Sequence, residues 1–79
     1  MLEKVREYYE MEYRDTVRAL EKSWVTDKKM AVWYAIQRCL GVAQFVQIAG
    51  VSFEEIDALY DEFKEKLENL CWQIKLNSV

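Results

Sequence analysis

Apolar residues recur along the first third of the chain at Leu2, Val5, Tyr9, Tyr13, Val17, Leu20 and Trp24. Steps of three and four residues, at about 100° per residue, gather them into one stripe roughly 120° wide. Glu3, Glu7, Glu10, Arg14, Arg18 and Lys22 fall on the far side, with Met11 out of place among them and Tyr8 at the stripe's edge. The pattern predicts an amphipathic helix over residues 2–24, ending near Trp24 or Val25. Thr26 and Asp27 are both competent N-caps for a second helix, because a short side-chain oxygen can accept from the free N–H groups of a helix's first turn. A connection this short sets the first two helices antiparallel.

The next stretch, Lys28 to Ala49, is apolar around most of its circumference and is the centre on which the rest of the chain packs. On a helical wheel Val32, Trp33, Ile36, Leu40 and Ala43 lie on one side, and Met30, Ala31, Tyr34, Phe45 and Ile48 on the other. Cys39, Val42 and Val46 bridge the two, while Gln37 and Gln44 form a narrow polar seam with Lys29 and Gln47 beside it. The end of this helix is well marked. Gly50 can adopt the left-handed conformation that closes a helix. Val51-Ser52-Phe53-Glu54-Glu55-Ile56 then reads as a helix start, with Ser52 and Glu55 spaced as a capping box and Val51 and Ile56 as a hydrophobic staple. The third helix is expected over residues 53–75, with the stripe Ile56, Leu59, Tyr60, Phe63, Leu67, Leu70, Cys71 and Ile74. Asp57, Asp61, Glu65 and Glu68 face away, acids crowd the first turns, and Asn77-Ser78-Val79 is expected to fray.

These three segments predict one all-α domain spanning residues 1–79, an antiparallel three-helix bundle around a central apolar helix. The outer helices are apolar on one side and the middle one on nearly all. Two neighbours cover about half of a helix in such a bundle, so either long Tyr, Trp and Met side chains fold over the remainder or something else covers it. A second copy of the chain is the simplest supply, through a two-fold interface pairing residues 28–49 with their counterpart. A helical homodimer is therefore expected. Met30, Tyr34, Arg38 and Phe45 are its candidate contact residues. Trp72 and Leu76 join them as an i,i+4 pair opposite the main stripe of the third helix, where they either form a contact site or cover one end of the core. Arg38 lies between Tyr34 and Phe45 and needs an acid within reach, with Glu12, Asp15 and Glu62 as candidates; its stem can also lie over an aromatic ring at the edge of the first two helices.

Composition fits this picture. Apolar residues make up 52% of the chain and charged residues 32%, in mixed sign, with three Trp, five Tyr and three Phe. There is no proline and only two glycines, too few turn residues for a β protein of this size. The formal net charge is −3, and no basic cluster is denser than Lys28-Lys29. Nucleic-acid and anionic-membrane binding both rest on a positive field, so both are disfavoured. Residues 1–20 carry charges throughout, unlike a signal peptide, and Gln37, Arg38, Gln44 and Gln47 interrupt any membrane span. The expected location is the cytoplasm, with reduced thiols.

Candidate chemistry is sparse. Cys39 and Cys71 show no CxxC spacing, and the chain has no histidine. In a hairpin turning near residue 51 the two cysteines sit about 12 Å apart along the helix axis, too far for a disulfide, so they read as small buried apolar residues. Ser23, Ser52 and Ser78 have no histidine to activate them. Glu54, Glu55, Asp57, Asp61 and Glu62 read as a solvated helix face, without the Glu-x-x-His sets of metal-binding bundles. Neither an enzymatic activity nor a cofactor or metal is expected. A ligand carrier would need a concave pocket, which Trp33, Tyr34 and Phe45 are large enough either to line or to fill as core.

Gly50-Val51-Ser52 followed by Ile56 resembles the turn of a helix-turn-helix DNA-binding unit. The family commonly has an aliphatic residue six positions after the glycine, matched by Ile56, and a small residue four before it, where this chain has Val46. The resemblance implies a DNA-reading segment at residues 46–62. The helix that would enter the groove opens Phe53-Glu54-Glu55-Ile56-Asp57, where recognition needs basic or amide side chains, and both flanking helices exceed the family's length. The leading expectation is a non-enzymatic helical interaction protein, self-associating through residues 28–49 and serving as an adaptor for, or inhibitor of, a larger protein partner.

Overall fold

A computed structural model describes residues 1–22 and 27–77, the side chains of residues 74–77 excepted. Its secondary structure among the described residues is entirely helical: α1 (Leu2–Leu20), α2 (Lys28–Ile48) and α3 (Phe53–Asn77), each packed against the other two. α1 closes earlier than its apolar spacing predicts. Glu21 N–H donates to the Arg18 carbonyl and Lys22 N–H to that of Ala19, so the last turn tightens to i→i−3 bonds and stops. Arg18 sits in that turn, where the helix dipole favours a cation. The expected end at Trp24 or Val25 and the Thr26 cap lie outside the described residues.

Asp27 is the N-cap of α2. Its backbone is extended (φ −119°, ψ 90°), and its carboxylate accepts from Met30 N–H at 3.0 Å. At the other end α2 is closed by a paired set of bonds. Val51 N–H reaches back to the Val46 carbonyl at 3.0 Å, and Gly50 N–H to that of Gln47 at 3.1 Å. This closure needs a left-handed residue between, and Gly50 supplies it at φ 100°. Val51 then packs on the core. The start of α3 is carried by the backbone, Ile56 N–H donating to the Ser52 carbonyl; no side-chain bond joins Ser52 to Glu55 among the described residues, so the expected capping box is not formed.

Tyr9 and Phe63 are the largest fully buried side chains, joined by Ile56, Leu67, Val32 and Cys39. The Tyr9 and Phe63 rings meet edge to face with centroids 5.5 Å apart, and the Tyr9 hydroxyl donates to the Cys39 carbonyl at 2.8 Å. One side chain thus ties α1 to both other helices, its polar end satisfied where water cannot reach. Outside it, Arg6 pairs with Glu62 at 3.0 Å, and the Lys66 ammonium lies 4.6 Å from the Phe63 ring centroid. Arg6 depresses the Glu62 pKa through its hydrogen bond. The core stripes of α1 and α3 largely follow the sequence pattern, with two additions in α1: Glu12 and Thr16 are buried. Thr16 turns its hydroxyl back to the Glu12 carbonyl at 2.7 Å, which lets a polar residue sit among apolar ones. Both cysteines are free; Cys39 is buried, and Cys71 is only half-buried rather than fully inside. No helix among the described residues is long and apolar enough to cross a membrane.

Candidate functional site

The two faces of α2 are both apolar but built from different residues. Val32, Ala35, Ile36, Cys39, Ala43 and Val46 face the core. They span about 100° of the wheel at i, i+3, i+4 and i+7 spacing, and most are small, which brings α1 and α3 in close. The opposite face carries Met30, Trp33, Tyr34, Gln37, Gly41, Gln44, Phe45 and Ile48, all exposed. Phe45 is 71% exposed and Ile48 87%. No charged residue falls within this outer face.

The alternative in which long side chains fold over the outer face is not seen, and Trp33, Tyr34 and Phe45 do not fill the core. Trp33, Tyr34 and Phe45 remain half or more exposed, because the small inner residues already let three helices close without them. Trp33 and Tyr34 open toward different grooves. Trp33 lines one of about 590 Å³ with Met30, Ile36 and Cys71, between α2 and α3. Tyr34 lines a smaller one of about 290 Å³ with Asp15, Thr16 and Arg38, on the α1 side.

Arg38 bounds the outer face on the α1 side. Its guanidinium meets the Glu12 carboxylate, with Nη2–Oε2 at 2.8 Å and Nε donating to the same oxygen at 2.9 Å. Of the three acids within expected reach, Glu12 is the one engaged. Its side chain is 10% exposed and that of Arg38 52%, so a buried carboxylate is held by a half-solvated cation. The hydrogen bond to Glu12 raises the Arg38 pKa, while burial followed by the Glu12 charge raises that of Tyr8. Burial pushes the Cys39 thiol up to about 11, leaving it protonated and inert at neutral pH. Lys29 bounds the face on the other side, within the groove toward α3.

Of the expected contact residues, Met30, Tyr34 and Phe45 share the outer face, with Arg38 at its margin. Trp72 is exposed but lies with Lys29, Glu68 and Cys71 on the α3 side, apart from Phe45. The Leu76 side chain lies outside the described residues. Besides Gln37 and Gln44 of the polar seam, sequence reasoning missed Trp33, which the wheel placed with the inward Val32 and Ile36 but which is half exposed, and three further residues. Ile48 sits on the same wheel face and was legible from its spacing. Phe53 is 64% exposed at the start of α3, where its place in the cap disguised it.

The third is Gly41. It stands near the middle of the outer face, and a Cβ built there would meet nothing within 4 Å. A glycine inside a helix costs about 1 kcal/mol relative to alanine. Among the described residues nothing requires that cost, since neither left-handed backbone nor a close neighbour is present.

At the turn that resembles a helix-turn-helix unit, Val46 and Ile56 are buried in the core, and Glu54, Glu55 and Asp57 point to solvent at the start of α3. Among the described residues no group of three or more Cys, Asp or Glu side chains is placed to hold a metal ion. No family model, no curated protein and no solved structure matches the chain.

Proposed function

We propose that this chain is a non-enzymatic helical interaction module, an antiparallel three-helix bundle that self-associates through the outer face of α2 and acts as an adaptor for, or inhibitor of, a larger protein. One observation carries this reading: Met30, Trp33, Tyr34, Phe45 and Ile48 stand exposed on one uncharged helix face, on a core already closed without them. Contiguous exposed apolar surface of this kind marks interaction sites, and aromatic residues dominate binding energy at such sites. The antiparallel order is supported by pairings that run in opposite directions along α1 and α2, Tyr9 with Cys39 and Glu12 with Arg38. A cytoplasmic setting goes with the two free cysteines. The exposed acids at the start of α3 weigh against reading DNA there, since they would face phosphates.

The test is sedimentation or light scattering across a micromolar dilution series, on the parent chain and on Phe45→Glu. The expected result is a dimer mass that falls toward 9.5 kDa on dilution and a variant that stays at 9.5 kDa throughout. A parent chain at 9.5 kDa at every concentration overturns self-association.

A further inference from the structure

The outer face of α2 is nearly symmetric about Gly41. Tyr34 and Ile48 lie seven residues to either side, and Gln37 and Phe45 four to either side. Four and seven residues are the spacings that return to one helix face. A two-fold interface needs this kind of surface, in which residue i of one copy meets residue j of the other and the reverse contact repeats across the axis. Resting on the self-association proposed above, we infer that a second copy docks antiparallel on the outer face of α2, with the two-fold axis passing at Gly41.

Three features of the molecule converge on this arrangement. The first is steric. Where two helices cross, the residue at the crossing point limits their approach, and Gly41 has neither a side chain nor any neighbour of its own chain there. Large residues flank it, so the two backbones come together at the centre. Tyr34 of each copy then packs on Ile48 of the other, and Phe45 lies over Gln37 with Gln44 alongside.

The second feature is charge. The α2 start carries Lys28 and Lys29 beside the single acid Asp27, whose carboxylate caps the helix, and the end of the molecule where α2 stops carries Glu54 and Glu55 in the first turn of α3. An antiparallel pair brings the lysines of each copy to the acidic end of the other. A parallel pair would set lysines against lysines and acids against acids, which repels. The helix dipoles favour the same order, since each positive N-terminus then lies beside a negative C-terminus.

The third is the position of Phe53. It is 64% exposed, beyond Ile48 at the end of α2. In the antiparallel arrangement that end of one copy approaches Met30 and Trp33 of the other, which extends the apolar contact past the two α2 helices. Two faces of this length bury on the order of 1,000 Å², at the low end for specific complexes.

Disulfide trapping tests the register directly. Tyr34→Cys and Ile48→Cys are made separately in a Cys71→Ser background, and each is oxidised alone and mixed with the other near the dimerisation midpoint. Circular dichroism confirms that each variant keeps its helix content. The expected result is efficient cross-linking only in the mixture, together with self-cross-linking of Gly41→Cys. Self-cross-linking of Tyr34→Cys and of Ile48→Cys overturns the antiparallel order while leaving α2 as the contact face. A dimer in which none of the three positions cross-links removes the contact from α2 altogether, and a monomer overturns self-association with it. A second measurement separates crossing from folding. Gly41→Leu should weaken dimerisation at least tenfold while leaving the thermal midpoint of the dilute monomer equal or higher; undiminished dimerisation of that variant overturns the close crossing at Gly41.

Discussion

The inner and outer faces of α2 carry comparable apolar character and opposite size. Inside are alanines, a cysteine and valines with a single isoleucine; outside are a tryptophan, a tyrosine, a phenylalanine, a methionine and another isoleucine. Burial follows geometry more than hydrophobicity here. Three helices can approach closely only where their facing side chains are small, and the bulk of this core comes instead from Tyr9 and Phe63 of the neighbours. A residue's apolarity therefore says that it belongs out of water, while its size says which interface can accept it. Among the described residues, the large side chains of α2 stay half or more exposed.

The largest expected effect breaks this comparison at its core. Phe63→Ala should lower unfolding free energy by about 3–5 kcal/mol, through lost burial and the cavity beside Tyr9. Phe45→Ala, measured on dilute protein, should stay within about 0.5 kcal/mol of the parent, as surface changes do. Urea denaturation of both variants gives the contrast; similar losses would make the outer face part of the fold.

A smaller effect is expected at the margin between the faces. Arg38→Ala leaves the buried Glu12 carboxylate without its cation and should cost about 1–2 kcal/mol, tempered by the half-exposed position of Arg38. Arg6→Ala, which breaks an ion pair exposed at both ends, should cost well under about 1 kcal/mol and less still in high salt. The same urea series reads both.

Next comes a pH dependence. The Cys39 thiol is raised to about 11 in the folded chain by burial, so the folded state holds this proton more tightly than the unfolded one. Its contribution is complete below the ordinary thiol value of 9.0 and is lost as pH rises toward 11. Tyr8 and Tyr9, also raised, extend the decline above 10.0. The thermal midpoint should fall by several degrees between pH 9 and 11, and Cys39→Ala should flatten the first part of that fall. The two glycines should act in opposite directions. Gly41→Ala should stabilise the dilute monomer by about 0.5–1 kcal/mol, whereas Gly50→Ala should destabilise it by about 1 kcal/mol or more because its φ is positive.

Three helices and the turn at Gly50 were legible in the sequence, because apolar periodicity and a glycine–serine boundary are local signals. The buried stripe of α3 was legible for the same reason. Glu12 and Thr16 were not, since periodicity counts only apolar residues, and their burial depends on an arginine 26 positions away and on a bond to the helix's own backbone. The candidate face was half legible. The wheel grouped Met30, Tyr34, Phe45 and Ile48, but it could not say which half of an all-apolar helix would turn inward. The half that turns inward is the one with small side chains, against Tyr9 of α1 and Phe63 of α3.

The closed turn at Gly50 also bears on how the molecule opens. Only four residues separate α2 from α3, and three of the bonds at the turn are backbone bonds made within ten positions of each other. Ends this close meet at little entropic cost, so α2 and α3 should form the better protected unit. α1 docks onto it through Tyr9, with the exposed Arg6–Glu62 pair at its margin. In native-state hydrogen exchange the amides of α1 should therefore open as a separate, less protected unit. The same two helices carry the outer face of α2, so local opening of α1 should leave that face in place.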